Sequence, residues 1–117
     1  MGKTMTVYIP IKLPSLANMR LHWRAMDRLK RSQKDAVLLA LNCNRETVPI
    51  PPLTVTIKRM GKRKLDSDNA IISAKYVRDS VAKWYDIDDG SDLYEWRYEQ
   101  AIDTQYGVEI RIEAREA

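Results

Sequence analysis

The sequence contains very few of the cysteine and histidine residues that form disulfides and zinc sites. Cys43 is the only cysteine and His22 the only histidine, so neither an intrachain disulfide nor a Cys/His zinc site can form within one chain. A bound metal is therefore expected to have oxygen ligands. The lone histidine lies in a basic, aromatic context (LHWR), far in sequence from Cys43 and from most of the serines, which disfavours nucleophilic catalysis by serine or cysteine. For His22, a packing or DNA-contact role is favoured.

The sequence also lacks a long apolar segment. No apolar run approaches the ~20 residues of a membrane span, and the N-terminal segment has no continuous apolar core of the kind found in secretory signals. We therefore expect a cytoplasmic protein without membrane contact. With 117 residues, the chain is long enough for one core and too short for two, so residues 1–117 are predicted to form a single domain.

Charge is divided unequally between the two halves of the chain. Residues 1–65 carry 14 Lys/Arg against 3 Asp/Glu, and residues 66–117 carry 6 against 13, which gives net charges of +11 and −7. A basic half suggests a polyanionic partner, because Lys/Arg contacts with phosphates release counterions. The neighbouring acidic half would repel DNA unless a cation were bound there.

Alternating and helical apolar patterns succeed one another along the chain. Strands are predicted near residues 4–13, 53–58, 94–99 and 108–115, and helices near 20–43 and 70–85. Pro10 predicts that the first strand lies at a sheet edge. We also predict a loop at the proline-rich residues 44–52, a turn at Gly61 and a hairpin closed by residues 101–107. We predict a small α+β domain, with the order strand-helix-strand-helix-strand-strand and a mixed sheet packed against two helices.

Each predicted helix has an apolar face, and the first also has a basic one. The apolar sets are Met19, Trp23, Met26, Val37 and Leu41 in the first helix, and Ile71, Ala74, Val77, Val81 and Trp84 in the second. The basic stripe in the first helix consists of Arg20, Arg24, Arg28 and Arg31. Such a stripe suits a phosphate backbone, but it is equally typical of a solvated face with i,i+4 pairs, here Asp27 with Arg31 and Arg31 with Asp35.

A second basic run leads directly into two closely spaced carboxylates. The run before Asp66 and Asp68 consists of Lys58, Arg59, Lys62, Arg63 and Lys64. A run of this kind can be a solubilising loop, but its position next to paired carboxylates favours phosphate binding.

The carboxylates Asp66 and Asp68, with a third from the acidic run at residues 86–92, suit Mg²⁺ or Mn²⁺. Such an ion can activate water and neutralise charge on a phosphodiester. Helix capping would explain one of the two aspartates, with Asp68 or Asn69 as the expected N-cap, and a polar turn would explain the acidic run. An EF-hand loop is excluded because its fifth position is Ala70 or Gly90.

Lys75 is predicted to face the same site. Seven residues at ~100° each bring Lys75 within ~20° of Asp68 on a continuous helix. Asp79, four residues further on, is placed to hold the Lys75 ammonium. An exposed ion pair without a catalytic role is the simpler explanation of these two residues.

Several of these motifs together resemble a known family. The run KLDSDNAIISAK, followed by Asp79 and DIDDGSD, resembles the D-x-D-N, lysine and D-D signature of the RusA-like Holliday-junction resolvases of phages and prophages. The segments LPSLAN, WRYEQ and YGVEIRI resemble the early loop and the closing strands of that family. In this sequence the lysine stands about one helical turn further from the second aspartate than in the family's founding pattern.

The resemblance implies a Mg²⁺-dependent endonuclease that acts as a homodimer on branched, four-way DNA. Asp66, Asp68 and Asp89 would be its metal ligands and Lys75 its catalytic lysine, with Asp88 and then Asp92 as alternatives to Asp89. A two-fold dimer would supply the paired incisions that a junction requires. A non-catalytic DNA-binding protein of the same fold, or a nuclease for other branched DNA, are the alternatives.

Overall fold

Four strands and three α-helices account for most of the part of the chain that the structure describes. The structure is a computed structural model and describes residues 3–16 and 22–115, apart from the side chain of Glu46. The strands are β1 (Thr4–Ile9), β2 (Leu53–Gly61), β3 (Tyr94–Ile102) and β4 (Gly107–Ala114), and the helices are α1 (Trp23–Asn42), α2 (Ser67–Ser73) and α3 (Lys75–Tyr85). A short 3₁₀ turn spans Arg45–Thr47. The predicted α+β class and the order of elements are confirmed, with the second predicted helix divided in two.

The strands form one mixed sheet in the order β1-β4-β2-β3. β2 is parallel to β3, and β4 is antiparallel to both β1 and β2. The predicted hairpin at residues 101–107 is therefore wrong, because β2 lies between β3 and β4 and the connection crosses its end. The prediction of an edge strand is confirmed: β1 borders the sheet and ends at Ile9, directly before Pro10.

One face of the sheet is apolar and carries the helices. The row Val7, Ile110, Ile57 and Tyr98 is in register across all four strands, so these side chains share that face. The core combines this face with Val37 and Leu41 from α1 and Val77 and Val81 from α3, all of them buried.

The opposite sheet face is polar, and its central strand is nevertheless buried. Thr56 lies between Arg111 of β4 and Arg97 of β3 in the same row, and only 2% of it is exposed. Thr54 lies on the same face as Thr56, two residues away along β2. They are covered because β2 is flanked on both sides by strands with long side chains.

Only the second half of α1 packs on the core. Gln33, Val37 and Leu41 are its buried residues, whereas Trp23 is 68% exposed and packs near the His22 and Arg24 side chains instead. The sequence predicts that Trp23 shares an apolar face with Val37 and Leu41, but Trp23 does not join them in the core. Met19 lies outside the described residues.

A break at Ala74 separates α2 from α3. Ala74 has φ −90° and ψ 3°, and its N–H bonds to the carbonyl of Ile71, three residues back, at 3.2 Å. The buried Ser73 hydroxyl donates to the Ala70 carbonyl at 2.7 Å, a competing bond of the kind that bends helices. Ile71 is consequently 43% exposed instead of sharing the buried face of α3 as predicted.

No helix within residues 3–16 and 22–115 is long and apolar enough to cross a membrane.

Candidate functional site

Asp66 begins α2 by capping it. Its Oδ1 atom accepts a hydrogen bond from the Asn69 backbone N–H at 3.0 Å, and its carbonyl accepts the first helical bond, from Ala70, at 2.9 Å. The predicted caps, Asp68 or Asn69, are therefore wrong by two or three positions. The other carboxylate oxygen of Asp66 has no hydrogen-bond partner within the described part of the chain and is available to a ligand.

Asp68 lies in the first turn of α2 and is exposed. No hydrogen bond or ion pair joins its carboxylate to any described residue. A negative charge in a first turn is favourable toward the helix dipole, but the capping function belongs to Asp66. A ligand could therefore bind the Asp68 carboxylate without breaking a contact among the described residues.

The segment before these aspartates is held against the edge strand β3. The Gln100 side chain donates to the Leu65 carbonyl and accepts from the Leu65 N–H, each at 2.8 Å. This two-point contact fixes the end of the Lys62–Lys64 run and the start of α2. The carboxylate pair is thereby placed beside β3.

The acidic run at residues 86–92 is also attached to β3. Asp86 follows the last residue of α3 and has φ 56°. The N–H groups of Asp86 and Ile87 bond to the carbonyls of Lys83 and Ala82, respectively, in a Schellman arrangement. The Trp96 indole donates to the Asp89 carbonyl at 2.9 Å, and the Tyr94 hydroxyl donates to the Ile87 carbonyl at 3.0 Å.

Arg78 connects the acidic turn, α3 and β3. Its guanidinium donates to the Tyr98 hydroxyl at 3.0 Å and to the Asp89 carbonyl at 3.2 Å, and its Nε lies 3.1 Å from the Asp89 Oδ2, without the alignment of a hydrogen bond. It also lies 4.9 Å from the centre of the Trp96 ring. Sequence reasoning missed Arg78 because its partners lie 11 to 20 residues away in other elements, where no local spacing rule applies.

The acidic surroundings and burial act on Tyr94. Burial raises the pKa of Tyr94 to about 12, and the nearby carboxylates of Asp89 and Asp88 act in the same direction. Tyr94 is therefore a neutral hydrogen-bond donor at physiological pH. Burial also raises the pKa of Tyr85 to about 12, and its hydroxyl donates to the Pro49 carbonyl at 2.9 Å.

The two acidic runs lie along the same strand but do not merge. Their anchor points on β3, Gln100 and Trp96, are four residues apart, which corresponds to roughly 13 Å along a strand. Within residues 3–16 and 22–115, no three Asp, Glu, His or Cys side chains are grouped closely enough to hold one metal ion. The structure therefore does not bring Asp88 or Asp89 into one cluster with Asp66 and Asp68.

Lys75 is exposed and is the first residue of α3. Because the helix is interrupted at Ala74, the uninterrupted helical phase that related Lys75 to Asp68 does not apply. The expected contact between Lys75 and Asp79 is not formed among the described ion pairs. Asp79 instead lines an open groove of about 290 Å³ together with Lys83, Asp86, Asp88 and Asp89.

Most of the predicted basic residues are exposed where the structure describes them. Lys58 is half-buried and Arg59 is buried, so the prediction that Arg59 contacts phosphate is wrong. Arg24, Arg28 and Arg31 lie on α1, and Lys62, Arg63 and Lys64 follow β2. Arg31 forms the predicted ion pair with Asp27, whereas the predicted pair with Asp35 is not formed. The run Lys62–Lys64 has no carboxylate partner among the described residues. Arg20 lies outside the described residues.

No protein-family model matches the chain, and no curated protein matches it.

Proposed function

We propose that this protein is a metal-dependent, structure-specific endodeoxyribonuclease of the RusA-like type, which resolves four-way DNA junctions by paired phosphodiester hydrolysis. One observation carries the proposal. A basic run without carboxylate partners leads directly into a carboxylate pair at the start of α2, and one member of that pair, Asp68, has no structural partner. Cations for a DNA backbone and oxygen ligands for a metal are thus adjacent in one short segment.

The carboxylate pair fits Mg²⁺, or Mn²⁺, as far as donor chemistry is concerned. Asp68 and the free oxygen of Asp66 are hard oxygen donors, and Mg²⁺ commonly binds through one or two carboxylates while waters and substrate phosphate complete its shell. A cluster of three protein carboxylates is therefore not required. When bound, the ion would supply charge neutralisation at the scissile phosphate and a more acidic water.

The remaining candidates have distinct tasks in this proposal. Asp89 is engaged by Arg78, so the exposed Asp88, which has no ion-pair partner among the described residues, is the freer carboxylate of the acidic turn. Lys75 would add positive charge beside the phosphate undergoing attack. Arg24 and Arg28 would contact the backbone further along the DNA, and a homodimer would supply the second incision.

One observation favours a second candidate function. The exposed residues Lys62, Arg63 and Lys64 have no carboxylate partner among the described residues, so they can contact DNA phosphates whether or not a metal is bound, and a protein that only binds branched DNA would need nothing more. The basic surfaces alone would account for its affinity. In this alternative the protein binds the same DNA but does not hydrolyse it.

The proposal is tested with a labelled four-way junction and a linear duplex of the same sequence, each incubated with the protein in Mg²⁺ or in EDTA. We expect paired nicks on the junction in Mg²⁺ alone and no nicks on the duplex. Junction binding without cleavage in Mg²⁺ and in Mn²⁺ would establish the DNA-binding alternative. Equal cleavage of junction and duplex would contradict structure specificity.

A further inference from the structure

Three connecting segments meet around the ring of Tyr106 at one end of the sheet. The Lys12 ammonium, from the segment after β1, lies 4.6 Å from the ring centre, and the Lys62 ammonium, from the segment after β2, lies 5.9 Å from it. Tyr106 itself ends the connection between β3 and β4. Residues distant in the sequence thus place two cations around one aromatic ring.

A buried arginine fastens two of these segments together. Arg59 is 7% exposed, and its guanidinium donates to the Leu13 carbonyl at 2.9 Å and to the Arg63 carbonyl at 2.8 Å. Leu13 and Arg63 each follow one of the lysines by a single residue. The buried Arg59 side chain therefore holds the backbone next to Lys12 and next to Lys62.

The ring holds the two ammonium groups without neutralising them. Both lysines are exposed, and neither has a carboxylate partner among the described residues. A cation–π contact positions an ammonium through the ring quadrupole while its full charge and most of its N–H donors remain available. A salt bridge would have cancelled the charge instead. Two positioned, uncompensated cations are a suitable receptor for a phosphate.

From this geometry we propose that Lys12, Lys62 and Tyr106 form a binding site for the phosphate backbone of DNA. The site is separate from the carboxylate pair, and the segment from Lys62 to Asp66 connects the two. The inference rests on the proposed function in taking DNA as the ligand, and it requires no metal and no cleavage. Lys12 and Tyr106 belong to neither of the basic sets predicted from the sequence.

The test measures junction binding in EDTA, as a function of salt, for single variants. Each lost phosphate contact lowers the slope of log K against log[salt] by roughly 0.9. We expect that change for Lys12→Ala and for Lys62→Ala, with weaker binding at low salt and an unchanged unfolding midpoint. The matched control is Lys3→Ala, which removes the same charge from an exposed residue at the opposite end of β1 and should leave the slope unchanged.

The role of the ring is tested by two substitutions of Tyr106. Tyr106→Phe keeps the aromatic face and should bind like the wild type, whereas Tyr106→Leu keeps an apolar side chain, loses the quadrupole and should weaken binding. Equal slopes for Lys12→Ala and Lys3→Ala would overturn the site while leaving the proposed nuclease intact. Wild-type protein that fails to bind any DNA would overturn both proposals. A wild type that binds through Lys12 without cleaving would preserve the site and overturn the nuclease.

Discussion

Replacing Arg78 by alanine removes the side chain that joins α3, β3 and the acidic turn. Its guanidinium makes hydrogen bonds to the Tyr98 hydroxyl and the Asp89 carbonyl, an ion pair with the Asp89 carboxylate and a contact with the Trp96 ring. All four contacts are long-range in sequence, and no local element compensates for their loss. We therefore expect Arg78→Ala to destabilise the fold and to release Asp89.

The size of the effect follows from the contacts. A hydrogen bond from a charged donor contributes about 1.5–3 kcal/mol, a cation–π contact about 0.5–1 kcal/mol, and a partly exposed ion pair less than about 1 kcal/mol. The side chain is 29% exposed, so water screens the charge and can reach the groups left behind. A total loss of about 3 kcal/mol is expected, and at ~4 °C per kcal/mol the melting temperature should fall by about 12 °C.

Urea unfolding gives the free energy directly, and Arg31→Ala is the matched control. Arg31 is also an ion-paired arginine, but its side chain is 76% exposed and its pair with Asp27 lies within one helix, so its loss should cost about 0.5 kcal/mol or less. A double-mutant cycle with Asp89→Asn separates the ion pair from the other contacts. An Arg78→Ala protein that is destabilised no more than Arg31→Ala would refute the role assigned to Arg78.

Three other predictions concern the elements that frame the site. Asp66→Ala should lower the free energy of unfolding by about 1 kcal/mol because the cap of α2 is lost, whereas Asp66→Asn should be nearly neutral; equal effects would refute the capping role. Asp86→Gly should raise stability by up to about 1 kcal/mol, because glycine adopts the left-handed conformation at φ 56° without a steric cost; a loss of stability would contradict this. Folding raises the pKa of Tyr85 and Tyr94 from 10.0 to about 12. Their contribution to the free energy of unfolding is therefore fully present below about pH 10 and is lost as the pH rises toward 12. The urea midpoint should fall across that window, and a constant midpoint would contradict the prediction.

The sequence predicts the positions of the strands along the chain well, but it predicts poorly which strands pair in the sheet. Alternating apolar residues predict the strands, and the buried residues of β1 and of most of β4 alternate in the same way. Strand order depends on which edges pair over long distances, and the short connection between β3 and β4 suggested a hairpin although β4 pairs with β2. The break at Ala74 is similarly invisible, because alanine favours helix and the competing bond comes from Ser73.

The site shows the same division between local and long-range information. Asp66 and Asp68 are recognisable from their spacing before a helix, although Asp, Ser and Asn are all good N-caps and the sequence does not distinguish among them. The positions of Asp88 and Asp89 depend on Arg78, Trp96 and the length of β3, none of which is encoded locally.

The central claim is that the carboxylate pair at the start of α2 performs chemistry. Asp68→Asn tests it most directly, since Asp68 is exposed and has no partner within the described residues. Its replacement should lower the free energy of unfolding by no more than about 1 kcal/mol, the value of one first-turn charge, and should leave junction binding in EDTA at least as strong. We expect loss of Mg²⁺-dependent junction cleavage, while the matched variant Asp35→Asn, whose carboxylate on α1 also has no hydrogen-bond or ion-pair partner within the described residues, retains it. Full cleavage by Asp68→Asn would contradict the claim.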